Sequence, residues 1–215
     1  NLGKGSFAYS GLQKISFADG SKVSNIGDSA FSGCQIEEFH MPDGVTAVGY
    51  STFYACMNLK KLEFGIGSMC QTIGDYAFAE CPYLEKLELP VMMTNIGMRS
   101  FWNSGLKEIK IGKEISSIAA GAFSHCQQLK VINVDSANKT YATENGILFN
   151  KAKTELLAYP SARNGNYQVP KGTKKIRDSA FAGARSLKEI GFNNELTEIE
   201  GYAFSECNSL IAPVF

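Results

Sequence analysis

Residues 26–34 read IGDSAFSGC, and residues 73–81 read IGDYAFAEC. Near-identity at a distance marks an internal repeat, and a repeat decides the fold before any single element does. With the Phe of the Ala-Phe pair as anchor, the unit recurs at Phe7, Phe31, Phe53, Phe78, Phe101, Phe123, Phe181 and Phe204. Successive anchors are 24, 22, 25, 23, 22, 58 and 23 residues apart. An aliphatic residue stands five positions before every anchor (Leu2, Ile26, Val48, Ile73, Ile96, Ile118, Ile176 and Ile199), and a small residue stands immediately before it. Gly follows the aliphatic residue in five of the eight copies.

Downstream of the anchor the pattern is L-x-x-L-x-L, as in Leu59, Leu62 and Phe64, in Leu84, Leu87 and Leu89, and in Leu106, Ile109 and Ile111. Its end alternates apolar and polar residues, the period of a half-buried strand. Pro42, Gly65, Pro90 and Gly112 end these strands, and a second extended piece, such as VTAVG from Val45, leads to the next anchor. One unit cannot bury its apolar side alone. Stacked units share that side, with the Phe anchors forming a ladder of rings inside.

The unit L-x-x-L-x-L/I-P-x-x-V-x-x-I-G-x-x-A-F-x-x-C resembles the BspA-like leucine-rich repeat of bacterial surface proteins, over almost the whole chain. It lacks the Asn ladder of the better-known leucine-rich repeat, and the Phe and Cys columns take over the interior filling. The resemblance implies a leucine-rich repeat solenoid: a β-rich, curved, right-handed superhelix with one short strand per turn and short irregular or helical corners opposite. It also implies a cell-surface, extracellular adhesion module of bacterial origin. Its partners would be host extracellular-matrix or plasma proteins, other surface proteins of microbes, or glycans.

The gap of 58 residues breaks the period. YQVPKGTKKI, from Tyr167, aligns with FHMPDGVTAV, from Phe39, so one more turn lies in the gap without an Ala-Phe corner. In place of the corner, GILFNKAKTELLAYP reads as a β-hairpin around a polar turn from Asn150 to Lys153. Nine strand-bearing turns are therefore expected, on the order of 40 Å of stack at the usual strand spacing. A single domain spans residues 1–215, with regular repeats in 1–134, the irregular turn and its hairpin in 135–172, and final repeats in 173–215. LIAPVF, where the strand pattern is lost, reads as a C-terminal cap. The hairpin is either a binding element or padding between two blocks. The chain starts with Asn1 inside a repeat, which leaves a trimmed leader or a fragment of a longer array as the two readings.

Composition narrows function by exclusion. Lys and Arg total 21 against 21 Asp and Glu, so no electrostatic footprint for nucleic acid is expected. No apolar run approaches the ~20 residues of a membrane-spanning helix. Five of six cysteines (Cys34, Cys56, Cys81, Cys126 and Cys207) fall three residues after the anchor, in a slot that Ser or Ala fills elsewhere, and Cys70 takes a slot otherwise held by Val, Met or Ile. They read as buried free thiols, since no ligand spacing for a metal exists. His40 and His125 lie in different columns and do not converge with a nucleophile. No catalytic residue, metal or cofactor is expected, and the chain is read as a monomer. Asn138-Lys139-Thr140 is a formal glycosylation sequon.

Candidate binding residues lie on two surfaces. His40, Glu63, Glu88 and Lys110 share an exposed strand column of mixed charge, which suits either a solvated face with cross-strand pairs or a ligand surface. Tyr50, Tyr54, Tyr76 and Trp102 lie outside the core columns, with Tyr54 and Trp102 two rungs apart in one column and Ala79 between them. These rings either bound a shallow slot for a peptide or sugar or pack along a ridge. Two function classes follow: a surface-displayed binding module, or a structural spacer that holds another domain away from the cell wall.

Overall fold

The computed structural model describes residues 1–18 and 20–214. It contains sixteen strands among the described residues and no helix. In chain order they are β1 (Glu38–Met41), β2 (Ala47–Val48), β3 (Lys61–Phe64), β4 (Thr72–Ile73), β5 (Asn95–Ile96), β6 (Glu108–Ile111), β7 (Ser117–Ile118) and β8 (Val131–Val134). The chain continues through β9 (Tyr141–Glu144), β10 (Ile147–Asn150), β11 (Glu155–Ala158), β12 (Gly165–Gln168), β13 (Lys175–Ile176), β14 (Leu187–Gly191), β15 (Glu198–Ile199) and β16 (Ala212–Val214).

Each regular turn has two extended sides and one corner. On the first side the L-x-x-L-x-L strands pair in parallel, β1 with β3, β6 with β8, and β12 with β14 and β16. On the second side two-residue strands pair in parallel as β2-β4-β5-β7, each contributing its inward aliphatic residue. The solenoid expected from the repeat is thus present, and the second extended piece of each turn forms a ladder of its own. Among the described residues the corners are irregular and none is helical.

The corner explains the Ala-Phe signature. In every anchored turn the residues two before and two after the Phe have positive φ, as at Tyr76 (55°) and Glu80 (58°). The left-handed conformation costs a non-glycine residue on the order of 1 kcal/mol. In return, alternate N–H groups point in opposite directions. Ala77 N–H and Ala79 N–H close local turns on Gly74 O and Tyr76 O. Tyr76, Phe78 and Glu80 instead donate across to Met98 O, Ser100 O and Trp102 O of the next turn, at 3.0, 2.7 and 2.8 Å. Backbone polarity at the corner is thereby satisfied between turns, as burial requires. Gly74 and Gly97 follow the aliphatic residue because a Cβ there would lie 2.9 and 2.5 Å from the backbone of the preceding turn.

Inside, six rings from Phe7 to Phe123 stack at centroid distances of 5.4–5.7 Å. Each of the five cysteines in the anchor column sets its Sγ 3.0–3.2 Å from the carbonyl of the preceding anchor Phe. A small, apolar side chain with a weak donor fits that slot, and all six cysteines are free thiols.

Three details differ from the expectation. Residues 86–89 keep inward leucines but join no ladder, and residues 14–17 join none either. Among the described residues, seven turns therefore carry a strand on the first side. The last stretch does not lose its strand: β16 pairs in parallel with β14, while Phe215 lies outside the described residues. The sequon is closed to sugar. Asn138 is 1% exposed, its amide donates to Gly112 O and Ile115 O, and its carbonyl accepts from Thr140 N and Tyr141 N.

Truncating a central ring by Phe78→Ala should cost about 3–5 kcal/mol in denaturant unfolding, as for other large-to-small core changes. Burial raises the thiol of Cys56 to about 12 and that of Cys126 to about 11, from 9.0. Both stay protonated in the folded state while the unfolded thiols ionise, so stability is fully present below pH 9.0 and falls as pH rises through 9.0 towards 11. The expected slope is about 1.4 kcal/mol per pH unit per thiol, and Cys56→Ala/Cys126→Ala should flatten it in alkaline denaturation curves.

Candidate functional site

The four charged candidates fall on the first side of the solenoid. Parallel pairing of β1 with β3 sets His40 opposite Glu63, and His40 Nδ1 lies 3.0 Å from Glu63 Oε2. Lys61 Nζ approaches Glu63 Oε1 at 2.7 Å, Lys86 Nζ approaches Glu88 Oε1 at 3.0 Å, and Lys110 Nζ lies 3.7 Å from Asp135 Oδ2. The hydrogen bond from Lys61 holds the Glu63 carboxyl below its usual range. These exposed pairs contribute little to stability.

The unladdered residues 86–89 lie between two shallow grooves. One, of about 540 Å³, is bounded by His40, Glu63, Ile66, Lys86 and Glu88. The other, of about 510 Å³, is bounded by Glu88, Pro90, Val91, Lys110 and Asp135. The structure therefore brings the charged candidates together along one face, with Glu88 shared by both grooves. Sequence reasoning missed the apolar rim. Ile66 is fully exposed and Val91 is 76% exposed, and Met69 and Met92 project from the same corner of these two turns. The 25-residue spacing between Phe53 and Phe78, the longest among the regular turns, signalled this lengthened corner.

The aromatic candidates separate into two groups. Tyr50, Tyr54 and Tyr76 border a shallow depression of about 340 Å³ together with Tyr9, which the sequence reading did not single out. Tyr50 and Tyr76 meet edge to face at 6.1 Å. Trp102 is not part of this depression. Its Nε1 donates to His125 Nδ1 at 3.0 Å, and the two rings are 5.7 Å apart. His125 Nδ1 thus carries no proton, and Nε2 faces Glu206 Oε1 at 3.3 Å. Burial lowers the His125 pKa, opposed by the carboxylate of Glu206, whose own pKa the Arg185 guanidinium holds low.

The third feature lies where the period breaks. The apolar runs around residues 150–153 form β10 and β11, and β9 joins β10 to make an antiparallel meander. Leu156 pairs with Ile176 in the aliphatic column, and Tyr159 takes the anchor's place. Its N–H donates to Ala180 O at 2.7 Å and its ring stacks on Phe181 at 4.7 Å, continuing to Phe204. The aliphatic residue and the ring are here three positions apart instead of five, so this corner is two residues short. A cleft of about 300 Å³ results between the corner of Phe123 and those of Tyr159 and Phe181. At its far end the corners touch, with His125 N–H donating to Ala182 O at 3.0 Å.

Among the described residues no group of three or more His, Cys, Asp or Glu side chains is arranged to hold a metal ion. The described residues include no helix long and apolar enough to cross a membrane. Trp102, the single tryptophan, reports on His125. The folded pKa of His125 is depressed, so its contribution to stability is present above the ordinary value of 6.5 and is lost as pH falls below it. Trp102 fluorescence should therefore change with a midpoint below 6.5, and His125→Phe should abolish that transition.

The model of the BspA type leucine-rich repeat region matches in six copies, over residues 1–130, 48–165 and 158–213. A search of curated proteins found no match. Among solved structures, the pneumococcal vaccine antigen PcpA is 28% identical with a TM-score of 0.72, over 99% of this chain and 47% of its own. A leucine-rich repeat protein from Eubacterium ventriosum is 26% identical with a TM-score of 0.70, over 84% of this chain and 60% of its own. A leucine-rich repeat protein from T. pallidum shares the fold at 23% identity and a TM-score of 0.57, over 92% of this chain and 76% of its own. This chain thus spans 47% and 60% of the first two proteins, and as a family member it is a binding or repeat module. With the family model covering nearly every turn of the stack, the chain belongs to the BspA-type leucine-rich repeat family.

Proposed function

We propose that this solenoid is a non-catalytic, monomeric adhesion module of a bacterial surface protein, and that it takes a protein partner on its first side. The observation that carries this reading is the rim of Ile66, Met69, Val91 and Met92 beside the two charged grooves. Exposed aliphatic side chains next to paired charges favour an interface, with an apolar centre and a polar border. A spacer requires no such rim. The vaccine-antigen status of the pneumococcal relative supports display outside the cell, with host matrix or plasma proteins or other microbial surface proteins as partners. The tyrosine depression supports a second reading, a glycan held against Tyr50, Tyr54 and Tyr76.

A binding screen of the chain against matrix proteins, plasma proteins and a glycan array distinguishes these readings. Ile66→Ser/Val91→Ser should weaken binding to a protein partner by about tenfold or more, the usual weight of interface hot spots, and Tyr54→Ala should leave it intact. The opposite pattern, with a glycan bound, favours the tyrosine depression. Clean negatives across the screen favour the spacer.

A further inference from the structure

The cleft at the short corner exposes a specific defect in the hydrogen-bond pattern. In each intact corner from Phe31 to Phe101, the N–H groups at the anchor and two residues before it donate to the next turn, as Arg99 N does to Ala120 O and Phe101 N to Ala122 O. The equivalent donors in the following corner are Gly121 N–H and Phe123 N–H. Both residues are buried and line the cleft, yet neither N–H has an acceptor among the described residues. The two residues missing between Leu156 and Tyr159 are the reason: the strip of backbone that would have faced these donors does not exist. Contact at the far end keeps the gap from closing, because Gly183 is so near His125 that a Cβ on it would lie 2.7 Å from His125 Cα.

We infer that this cleft is a binding site for a short peptide segment, which supplies the missing backbone of the corner. The donors are two residues apart along the chain, and in every intact corner they meet two carbonyls two residues apart. A peptide main chain reproduces that spacing, whereas a single carboxylate or phosphate offers its oxygens on one centre. Charge points the same way. Glu155 and Asp178 line the cleft, and the Arg177 guanidinium beside them is already shared between Glu155 at 2.7 Å and Glu200 at 3.0 Å. Among the described residues that line the cleft, the cation Arg177 is already paired, so an anion would meet the carboxylates of Glu155 and Asp178. Ile118 and Leu157 add apolar walls, and about 300 Å³ admits a few small residues. None of the residues bounding the strand-face grooves lines this cleft, so the site stands independently of the adhesion reading.

Amide exchange and chemical shifts of the labelled chain test the proposal, with N-acetyl-trialanine amide as the probe and acetate as the anionic control. In the free protein, Gly121 and Phe123 amides should exchange roughly fivefold or more faster than those of Arg99 and Phe101, the factor expected for one net hydrogen bond. The peptide should shift both amide protons downfield saturably at millimolar concentration and slow their exchange, and acetate should not. Ala158→Trp, which fills the cleft, should remove the response, and Ala120→Trp at its exposed rim serves if the first variant does not fold. Equal protection of the four amides in the free protein, no saturable shift with the peptide, or an equal response to acetate would overturn the assignment.

Discussion

The whole stack depends on one constraint, that every second backbone N–H at the corner must find its acceptor in the next turn. Meeting it requires two left-handed residues per corner, which glycine occupies at only a minority of these positions. The chain accepts that strain at Tyr76, Glu80, Arg99 and Asn103 because the alternative is buried, unpaired backbone, which is more costly. The anchor Phe lies between the two left-handed residues, so the geometry that sends its N–H across to the next turn also turns its ring inward. Ring stacking and backbone pairing are therefore two consequences of a single local conformation. The five thiols of the anchor column follow from it as well, since each sits against the anchor carbonyl of the turn before.

Much of this architecture is legible in the sequence because a one-dimensional stack writes the same physical demand into the same column every turn. The aliphatic residue, the close-packed Gly, the small residue and the Phe recur because each meets the same neighbour in the turn before or after. Backbone hydrogen bonds leave weaker traces. The left-handed positions hold Ser, Tyr, Arg, Glu, Asn and His as readily as Gly, so no composition rule marks them. The second ladder is two residues wide in each turn, too short for a periodic pattern. Residues 86–89 carry a strand alternation and still join no ladder, so the alternation alone does not settle pairing.

The candidate sites were legible only in part, for the same reason. A column places His40 beside Glu63, since parallel register is a property of the repeat, and the structure pairs them. A column also places Tyr54 in line with Trp102, but what a ring does at the surface depends on its immediate neighbours. Trp102 has His125 one turn ahead to accept its indole N–H, and Tyr54 does not. The lengthened corner that carries Ile66 was visible as an interval, while the exposure of its side chain was not.

Uniform stacking has a further consequence for where selectivity can reside. In an ideal array each turn presents the surface of the one before, so a ligand that fits one position fits several. Distinct sites require a break in that translation, and two occur among the described residues. One adds length to a corner and pushes aliphatic side chains into solvent beside residues 86–89. The other hides a deficit inside a surplus: the interval of 58 residues reads as an insertion, yet at its corner the chain is two residues short. The extra residues go into the meander of β9, β10 and β11, whose Tyr159 restores the ring of the missing anchor. One ring can be replaced by another from any direction, because packing is tolerant of approach. Backbone donors cannot be satisfied that way, because they require an acceptor at fixed distance and angle. A repaired core and an unrepaired hydrogen-bond strip are what a shortened corner must leave behind, and the unpaired strip sets this turn apart from the intact corners before it.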